Sequence, residues 1–236
     1  MSLRAGTSRT GNRLLDRLPK QEYDRLRRAG EMVTLPLKQE VYRPNGPLPY
    51  VYFPSGGIIS VLVQMEDGKA TEAATIGNEG LVGIPLVLGL DFSPFLATAQ
   101  VAGDCLRIPA PLFTQTMTPG GPLDQLVRRY AAYSLQYANQ TIACNLLHAA
   151  GKRMCRWLLM SHDRLGQNEF PLTHEFLAEM LGVRRQTVTV LAGTLQAAGL
   201  IRYRRGVMKI LNREGLEAAS CECYGVTKAL YERIVM

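Results

Sequence analysis

The sequence predicts an α+β protein in three consecutive segments: a strand-rich N-terminal half, one long helix, and a C-terminal unit of short helices with a β-hairpin. Three observations predict this order. Short β-rich runs fill Met32 to about Pro111, an apolar heptad pattern follows Pro122, and two short amphipathic stretches meet at Gly182. We therefore expect a first domain over residues 1–120, the long helix over 121–150 and a second domain over 151–236.

The composition predicts a folded chain and excludes several classes of protein. Of the 236 residues, 47% are hydrophobic and 20% charged, which excludes disorder. The longest apolar run, Leu81–Leu90, is interrupted by Gly and Pro and is shorter than the roughly 20 residues of a membrane helix. The first residues lack the apolar core of a signal peptide, and five scattered cysteines do not form a disulfide framework. We expect a soluble cytoplasmic protein with reduced cysteines and no membrane partner.

Basic charge is concentrated in the C-terminal segment. The net charge is +7, of which residues 151–236 contribute +5 and residues 1–150 contribute +2. Clustered positive charge attracts polyanions, most commonly nucleic acids. A solvated basic face with no partner is the alternative.

The N-terminal half combines short helical pieces with strands. Residues 12–30 are predicted to form amphipathic helical pieces broken at Pro19. The runs Tyr50–Phe53, Ile58–Val63 and Ala97–Val101 are separated by Gly, Asn and Pro turn residues. Short strands with frequent turns are typical of an antiparallel barrel or sandwich.

The long helix carries two apolar stripes. One follows alternating steps of three and four residues, which favours a homodimer seam over a core helix buried on two sides. Gln140 on this seam would fix the register of the two helices, and the second stripe would cover the β domain. The predicted seam is Leu123, Leu126, Tyr130, Tyr133, Tyr137, Gln140, Cys144 and Leu147, and the second stripe is Val127, Ala131, Leu135, Ala138, Ile142 and Leu146.

The C-terminal segment contains a winged helix-turn-helix. Thr173 is a good N-cap for a first helix, which Gly182 ends in a left-handed conformation. A second helix follows almost at once and stops at Ala198-Gly199. Two β-rich runs around the turn Arg204–Gly206 then form a hairpin, which is the wing.

Such a unit predicts binding to double-stranded DNA, because the second helix of the motif enters the major groove. Arginine pairs with guanine, glutamine pairs with adenine, and the methyl groups of threonine and valine contact thymine. We expect base contacts from Arg185, Gln186, Thr189 and Val190, and phosphate contacts from Thr173, Arg184, Thr187, Arg202, Arg204 and Arg205.

Along nearly its whole length the chain resembles the Crp/Fnr family of bacterial transcription regulators. The resemblance rests on Leu14–Pro19, Val51–Ser60, Gly77–Gly83, the long helix and, most specifically, Leu172–Val188. It implies a β-roll of the cyclic-nucleotide-binding type (a double-stranded β-helix), a dimerisation helix and a winged helix-turn-helix. It also implies a homodimer that binds near-palindromic operators and contacts RNA polymerase.

The reading helix departs from the family in two places. Arg185 matches the guanine-reading arginine, whereas Gln186 stands where a base-reading glutamate is usual. Val190 replaces a second base-reading arginine of the cyclic-AMP-responsive branch. We therefore expect an operator that differs from the usual one.

The sensor half departs further. Family members that bind cyclic nucleotides hold the ribose with a Gly-Glu pair and the phosphate with an Arg-Ser pair, which correspond here to Gly83-Ile84 and Phe95-Leu96. On the long helix Asn139 alone keeps polar capacity where the family contacts the base. Ile84 and Phe95 cannot compensate a buried phosphate charge, so we expect no cyclic AMP or cyclic GMP and an unidentified small effector instead.

Cofactors are not predicted. Iron–sulfur members use closely spaced N-terminal cysteines, and this chain has none before Cys105. Cys144 and His148 have ligand-compatible helical spacing, and Cys221 and Cys223 form a tighter pair, but each pair alone is incomplete. We therefore expect no metal, although a redox or metal role for either pair stays open. His162 and His174 are expected on the surface.

Two other classes of function compete with a DNA-binding regulator. A small-molecule sensor module could dock an acidic protein through its basic C-terminal domain. An enzyme is disfavoured, because the sequence lacks a phosphate-binding loop, a nucleophile elbow, a metal-binding His-Glu helix and paired carboxylates.

Overall fold

Antiparallel strands, a long helix and a helical C-terminal unit form the α+β fold of this computed structural model, which describes residues 10–68 and 70–236. The helices are α1 Lys20–Arg28, α2 Ile84–Val87, α3 Ala110–Thr116, α4 Pro122–Leu147, α5 Ala150–Leu165, α6 His174–Leu181, α7 Arg185–Ala197, α8 Arg213–Ala219 and α9 Cys223–Ile234. The strands are β1 Glu31–Leu35, β2 Glu40–Tyr42, β3 Tyr50–Pro54, β4 Ile58–Gln64, β5 Ala70–Ile76, β6 Leu96–Val101, β7 Gly103–Pro109, β8 Glu169–Pro171, β9 Ile201–Arg204 and β10 Val207–Ile210.

Two sheets build the strand-rich half. One has the strand order β1-β7-β3, and the other has the order β2-β6-β4-β5. The central strand β7 pairs antiparallel with both neighbours, so that Leu106 lies opposite Met32 on one side and Phe53 on the other. The three runs predicted as strands lie in β3, β4 and β6, which confirms the antiparallel β region.

The core of this half is aromatic and aliphatic. The rings of Phe53 and Phe113 lie 6.2 Å apart, and both side chains are fully buried. Leu14 precedes a 3-10 turn at Leu15–Arg17, and α1 begins directly after Pro19, where the break was predicted. Burying each such large side chain contributes roughly 1.5–3 kcal/mol to folding.

The chain divides into two compact units. The first comprises the residues up to Val61, Ala74–Ser134 and Arg233–Met236, and the second comprises Leu62–Ala73 and Leu135–Glu232. The long helix α4 contributes its first half to one unit and its second half to the other. In the part of the chain that the structure describes, no helix is both long and apolar enough to cross a bilayer.

The seam predicted for α4 is corrected by the structure. Six of its members are buried by their own chain, so they cannot face a second copy: Leu123, Leu126, Tyr130, Tyr133, Tyr137 and Cys144. The Tyr130 ring lies against Gly80, where an added Cβ would come within 1.9 Å of the phenol oxygen. Gln140 donates to the Cys223 thiol at 3.0 Å, so it packs within the chain instead of setting a register between chains. Leu147 is the outlier, at 78% exposed.

The second apolar stripe of α4 is exposed only in part, because Val127 is fully buried and Ala131 and Ala138 are partly buried. Leu135, Ile142 and Leu146, which were expected to cover the β domain, are 61%, 60% and 80% exposed. Heptad spacing is common to a helix packed in its own chain and to a coiled coil, so the spacing could not decide which stripe lies inside. We define the exposed stripe as Ala132, Leu135, Asn139, Ile142 and Leu146.

A close backbone crossing in the β region generates the first prediction. A Cβ at Gly103, the first residue of β7, would lie 2.4 Å from both the carbonyl carbon of Gly56 and the amide nitrogen of Gly57. Because backbone atoms cannot move aside, Gly103→Ala should lower the free energy of unfolding by about 1–3 kcal/mol. Urea denaturation followed by circular dichroism measures this change.

Gly225→Ala is the matched control for Gly103→Ala. Gly225 lies exposed within α9, and an added Cβ there meets no atom within 4 Å. Alanine is favoured over glycine in a helix by up to about 1 kcal/mol, so this variant should be slightly stabilised. Equal stability of the two variants would contradict the close crossing at Gly103.

Candidate nucleic-acid interface

Local backbone chemistry sets the bounds of the first helix of the motif. Thr173 is the N-cap of α6, and its hydroxyl accepts a hydrogen bond from the Phe176 N–H at 3.2 Å. Gly182 ends the helix at φ +61°, a left-handed conformation that costs glycine little. The Val183 N–H then donates to the Ala178 carbonyl at 3.0 Å, which closes the helix end. The predicted cap and stop residues are in place.

The second helix is fixed by its buried face. In α7, Val188, Ala192 and Leu195 are buried at spacings of three and four residues. They pack in one core with Leu177 and Leu181 of α6. Because an α-helix repeats every 3.6 residues, burial of this face leaves the opposite face in solvent.

The exposed face of α7 carries the residues predicted to read bases. Arg185, Gln186, Thr189 and Val190 are all exposed, and Val190 reaches 68%. The Thr189 Oγ1 lies 3.2 Å from the Arg185 carbonyl oxygen and 3.0 Å from His174 Nδ1. These two contacts engage its hydroxyl, so the methyl group is the part of Thr189 suited to a base edge.

Arg185 is held by an ion pair. Its Nη1 lies 2.9 Å from Glu175 Oε1, and both side chains are more than half exposed. An exposed pair of this kind is worth about 0.2–1 kcal/mol. The guanidinium is therefore oriented near the helix start and can exchange this partner for another acceptor at little cost.

His174 joins α6 to the wing. Its ring stacks on Tyr203 of β9, with ring centroids 4.1 Å apart. Its Nδ1 forms a hydrogen bond with the Thr189 hydroxyl. Nε2 is buried and has no hydrogen-bond partner among the described residues. Burial first, and then the positive charge of Arg185, hold the pKa of His174 below its usual range, while Glu175 opposes this shift. The sequence placed His174 on the surface, whereas its side chain is half-buried.

The wing is a three-stranded sheet with a basic tip. Strand β10 pairs with β9 and also with β8, a strand that the sequence did not indicate. The β9–β10 turn holds Arg205 at φ +49° and Gly206 at φ +78°, as the two-residue turns of tight hairpins require. This turn leaves the Arg205 side chain exposed at the end of the sheet.

All six residues predicted to contact phosphates are exposed. Three lie at the starts of α6 and α7 and three on the wing: Thr173, Arg184, Thr187, Arg202, Arg204 and Arg205. Helix starts carry partial positive charge and unpaired N–H groups, which suit anions. The structure places these side chains, and their contacts with DNA stay predictions.

The residues predicted for the effector pocket do not line either of the two cavities outlined by described residues. Gly83 caps α2 at φ +131°, close to Val51 and the Tyr42 hydroxyl, and Ile84 follows it. Ile84 and Leu96 are partly buried, and Phe95 is 38% exposed. Asn139 belongs to the exposed stripe of α4.

The structure brings the two cysteine pairs of the sequence into one cluster. Cys144, His148, Cys221 and Cys223 place their ligand atoms within 4.8 Å of one another. We call these four side chains the thiol cluster. Burial raises the pKa of Cys221 to about 12. Burial also acts on Cys144, but hydrogen bonding from His148 and the charge of Arg156 outweigh it and lower the pKa of that thiol.

Comparison with known proteins agrees with this geometry. Residues 152–219 match the Crp-like helix-turn-helix domain. Among curated proteins, none matches this sequence. The match identifies a Crp-like helix-turn-helix domain in the C-terminal part of the chain, and the solved structures described next share the overall fold.

Solved structures share the fold at low sequence identity. FixK2 from Bradyrhizobium japonicum is 18% identical with a TM-score of 0.67, and the alignment covers 81% of this chain and 98% of that one. A putative Crp/Fnr-family transcriptional regulator from Eubacterium rectale is 18% identical with a TM-score of 0.64, and the alignment covers 89% of this chain and 98% of that one. A CRP-family transcriptional regulator from Thermus thermophilus is 17% identical with a TM-score of 0.66, and the alignment covers 80% of this chain and 96% of that one.

Sequence reasoning missed two features of this surface. The Glu175 partner of Arg185 lies ten positions away on the preceding helix, and the His174–Tyr203 stack joins residues 29 positions apart. No local sequence pattern predicts either pairing. For the ion pair, the available signal was the opposite charge of Glu175 and Arg185 on two helices that were predicted to pack together.

The low pKa of His174 generates a prediction of pH-dependent stability. Because folding favours the neutral ring, its contribution is complete above the ordinary pKa of about 6.5 and is lost as the pH falls through the lower folded pKa. In His174→Phe, which keeps an aromatic partner for Tyr203, this dependence should disappear. The measurement is the difference in unfolding free energy between wild type and variant from about pH 8 to about pH 5, an interval that spans the ordinary pKa of histidine. A difference that does not change with pH would contradict the neutral buried ring.

Proposed function

We propose that this chain, which has the Crp/Fnr fold and a Crp-like helix-turn-helix domain, is a homodimeric, sequence-specific transcription regulator of double-stranded DNA. The observation that carries the proposal is the exposed face of α7, where Arg185, Gln186, Thr189 and Val190 lie together. The side chains on this face are suited to binding DNA and not to catalysing a reaction. Since the DNA of bacteria lies in the cytoplasm, we propose that the protein acts there.

The side chains on this face suit direct reading of bases. Arg185 offers two donors to the O6 and N7 acceptors of guanine, and Gln186 offers a donor and an acceptor to adenine. Thr189 and Val190 present methyl groups, which fit the C5-methyl group of thymine. All four lie in the first turns of α7, the part of a recognition helix that meets base edges.

Exposed cationic and hydroxyl groups around this face suit the phosphate backbone. Arg184 and Thr187 lie at the start of α7, and Arg202, Arg204 and Arg205 lie on the wing. Such contacts supply affinity without sequence preference and make binding depend on salt. The same positive charge steers the protein to DNA from a distance.

The exposed stripe of α4 supports the proposed dimer. Leu135, Ile142 and Leu146 would leave a row of apolar side chains in water, which is typical of an interaction surface. The stripe keeps the alternating steps of three and four residues that a parallel coiled coil needs. Asn139 then takes an a position, where one polar residue fixes register and pairing. The proposed homodimer therefore uses the exposed stripe and not the tyrosine-lined one.

Control of the regulator is proposed to come from a small effector that is not a cyclic nucleotide. Ile84 and Phe95 offer no charge to a cyclic phosphate, and neutralising such an anion in a buried pocket requires a cationic or donor side chain. We also propose contact with RNA polymerase, as expected of a regulator of this type. Effector binding must favour one of two conformations to alter DNA affinity.

Arginine variants test the proposed roles on DNA. Operators are first selected from random DNA with the wild-type protein. Arg185→Ala should weaken binding to the selected operator by about 1–3 kcal/mol and relax the sequence preference at one base pair per half-site. Arg204→Ala should weaken binding to all sequences alike. It should also reduce by about 1 the slope of log affinity against log salt concentration. Fluorescence anisotropy across a salt series measures both effects.

Lys228→Ala is the matched control, because Lys228 is an exposed cation on α9, outside the helix-turn-helix and the wing. It should leave affinity and sequence preference unchanged. An Arg185→Ala protein that keeps the wild-type preference would overturn the role of α7. Absence of any sequence selection by the wild type would instead favour docking of an acidic protein.

A charge on the exposed stripe tests the proposed dimer. Ile142→Glu places two like charges at the interface of a symmetric pair and should shift the protein to monomers at micromolar concentration. Leu88→Glu is the control, because Leu88 is comparably exposed, at 65%, and lies outside α4. Sedimentation equilibrium measures the association constant. If Ile142→Glu stays as dimeric as the wild type, the stripe is not the interface.

A further inference from the structure

The thiol cluster gathers four donor atoms from two segments of the chain. Cys144 lies in the last turn of α4, and His148 follows the end of that helix. Cys221 precedes α9, and Cys223 is its first residue. All three cysteines are buried and free, and His148 is partly buried. The two pairs are more than 70 residues apart in sequence, so the fold alone creates this set.

The spacing of these atoms fits a tetrahedral metal site. The Sγ atoms of Cys144 and Cys221 lie 3.6 Å apart, and Cys223 Sγ lies 3.5 Å from His148 Nδ1. A zinc ion with Zn–S bonds of about 2.3 Å and a Zn–N bond of about 2.0 Å holds its ligand atoms roughly 3.5–3.8 Å apart. The four donors all lie within 4.8 Å of one another, so small shifts complete the tetrahedron.

The second ring nitrogen of His148 also has the partner that a metal ligand requires. Its Nε2 lies 3.2 Å from Glu222 Oε1, while Nδ1 faces Cys223 Sγ. Metal-ligating histidines usually donate their other N–H to a carboxylate, which fixes the tautomer and raises ligand basicity. Glu222 stands between two of the cysteines in sequence, so the α9 start supplies two thiols and this carboxylate.

Neighbouring side chains balance the charge of such a site. Three thiolates and one Zn²⁺ ion sum to a net charge of −1, which is costly when buried unpaired. The guanidinium of Arg156 lies beside Cys144 and donates to Thr141 at 2.9 Å. Gln140 Nε2 donates to Cys223 Sγ at 3.0 Å. Both groups would stabilise thiolates in this position.

We propose that the thiol cluster is a structural site for a zinc-class divalent cation, bound by Cys144, His148, Cys221 and Cys223. Three thiolates and one imidazole are a common zinc ligand set, and four protein ligands leave no open position for catalysis. A disulfide between Cys144 and Cys221 is the competing chemistry, but it would not use His148, Glu222 or Cys223. The bound ion would tie the end of α4 to the start of α9 within one unit of the chain.

Metal content of the full-length protein, purified under reducing conditions, tests the site. Elemental analysis should find one zinc per chain in the wild type and almost none in Cys144→Ala or Cys223→Ala. Cys105→Ala and Cys155→Ala are matched controls, because both residues are buried free cysteines outside the cluster. These controls should keep the full zinc content. Loss of zinc from all four variants alike would overturn the assignment.

Two further measurements keep the test decisive if an alanine variant folds poorly. In folded wild-type protein, Co²⁺ should give the intense charge-transfer and visible bands of tetrahedral thiolate ligation, which His148→Gln should weaken. Zinc should also protect Cys144, Cys221 and Cys223 from alkylation, whereas removal by a chelator should expose them and lower the thermal midpoint. Reduced protein that takes up neither metal, or native protein with a Cys144–Cys221 disulfide, would overturn the proposal.

Discussion

The structure depends on how α4 divides its surface between its own chain and solvent. One face is filled by the chain itself, through Tyr130 against Gly80 and through Tyr137 beneath the guanidinium of Arg156, 5.6 Å from the ring centroid. A second face, with Leu135, Ile142 and Leu146, has no partner within the described part of the chain. Apolar surface gains roughly 25 cal/mol per Å² on leaving water, so this face favours association. The proposed dimer follows from that imbalance, and a dimer is what presents two copies of α7 to a near-palindromic operator.

The reading surface follows from a similar division on a smaller helix. Burial of Val188 and Leu195 fixes the rotation of α7, and the left-handed Gly182 fixes the direction in which it leaves α6. The exposed side chains of α7 are thus positioned by the core beneath them. The Arg185–Glu175 pair adds a mild constraint, because exposed ion pairs are weak and screened by salt. A guanine edge with two acceptors would compete well with one exposed carboxylate oxygen.

Sequence reasoning succeeded where the determinants are local and failed where they are distant. The cap at Thr173, the stop at Gly182 and the hairpin turn at Gly206 depend on a few neighbouring residues, and all were predicted. The stripe predicted as the dimer seam of α4 is mostly buried in its own chain. The sequence could not show this, because both stripes have helical spacing and only tertiary packing decides which side chains face solvent. The thiol cluster was visible as two incomplete pairs, and nothing in the sequence shows that Cys144 and Cys221 meet. Strand β8 was missed because it has only three residues, bounded by a proline.

Hydroxyl-radical footprinting of a selected operator tests the central claim most directly, because it reports the reading helix and the dimer in one experiment. Two α7 helices related by a twofold axis should protect two half-sites about 34 Å apart along the duplex, in a symmetric pattern on both strands. In each half-site, one α7 helix would place one copy of Arg185, Gln186, Thr189 and Val190 against the bases. A single protected half-site, or protection spread evenly along the DNA, would contradict a dimer that reads bases through α7.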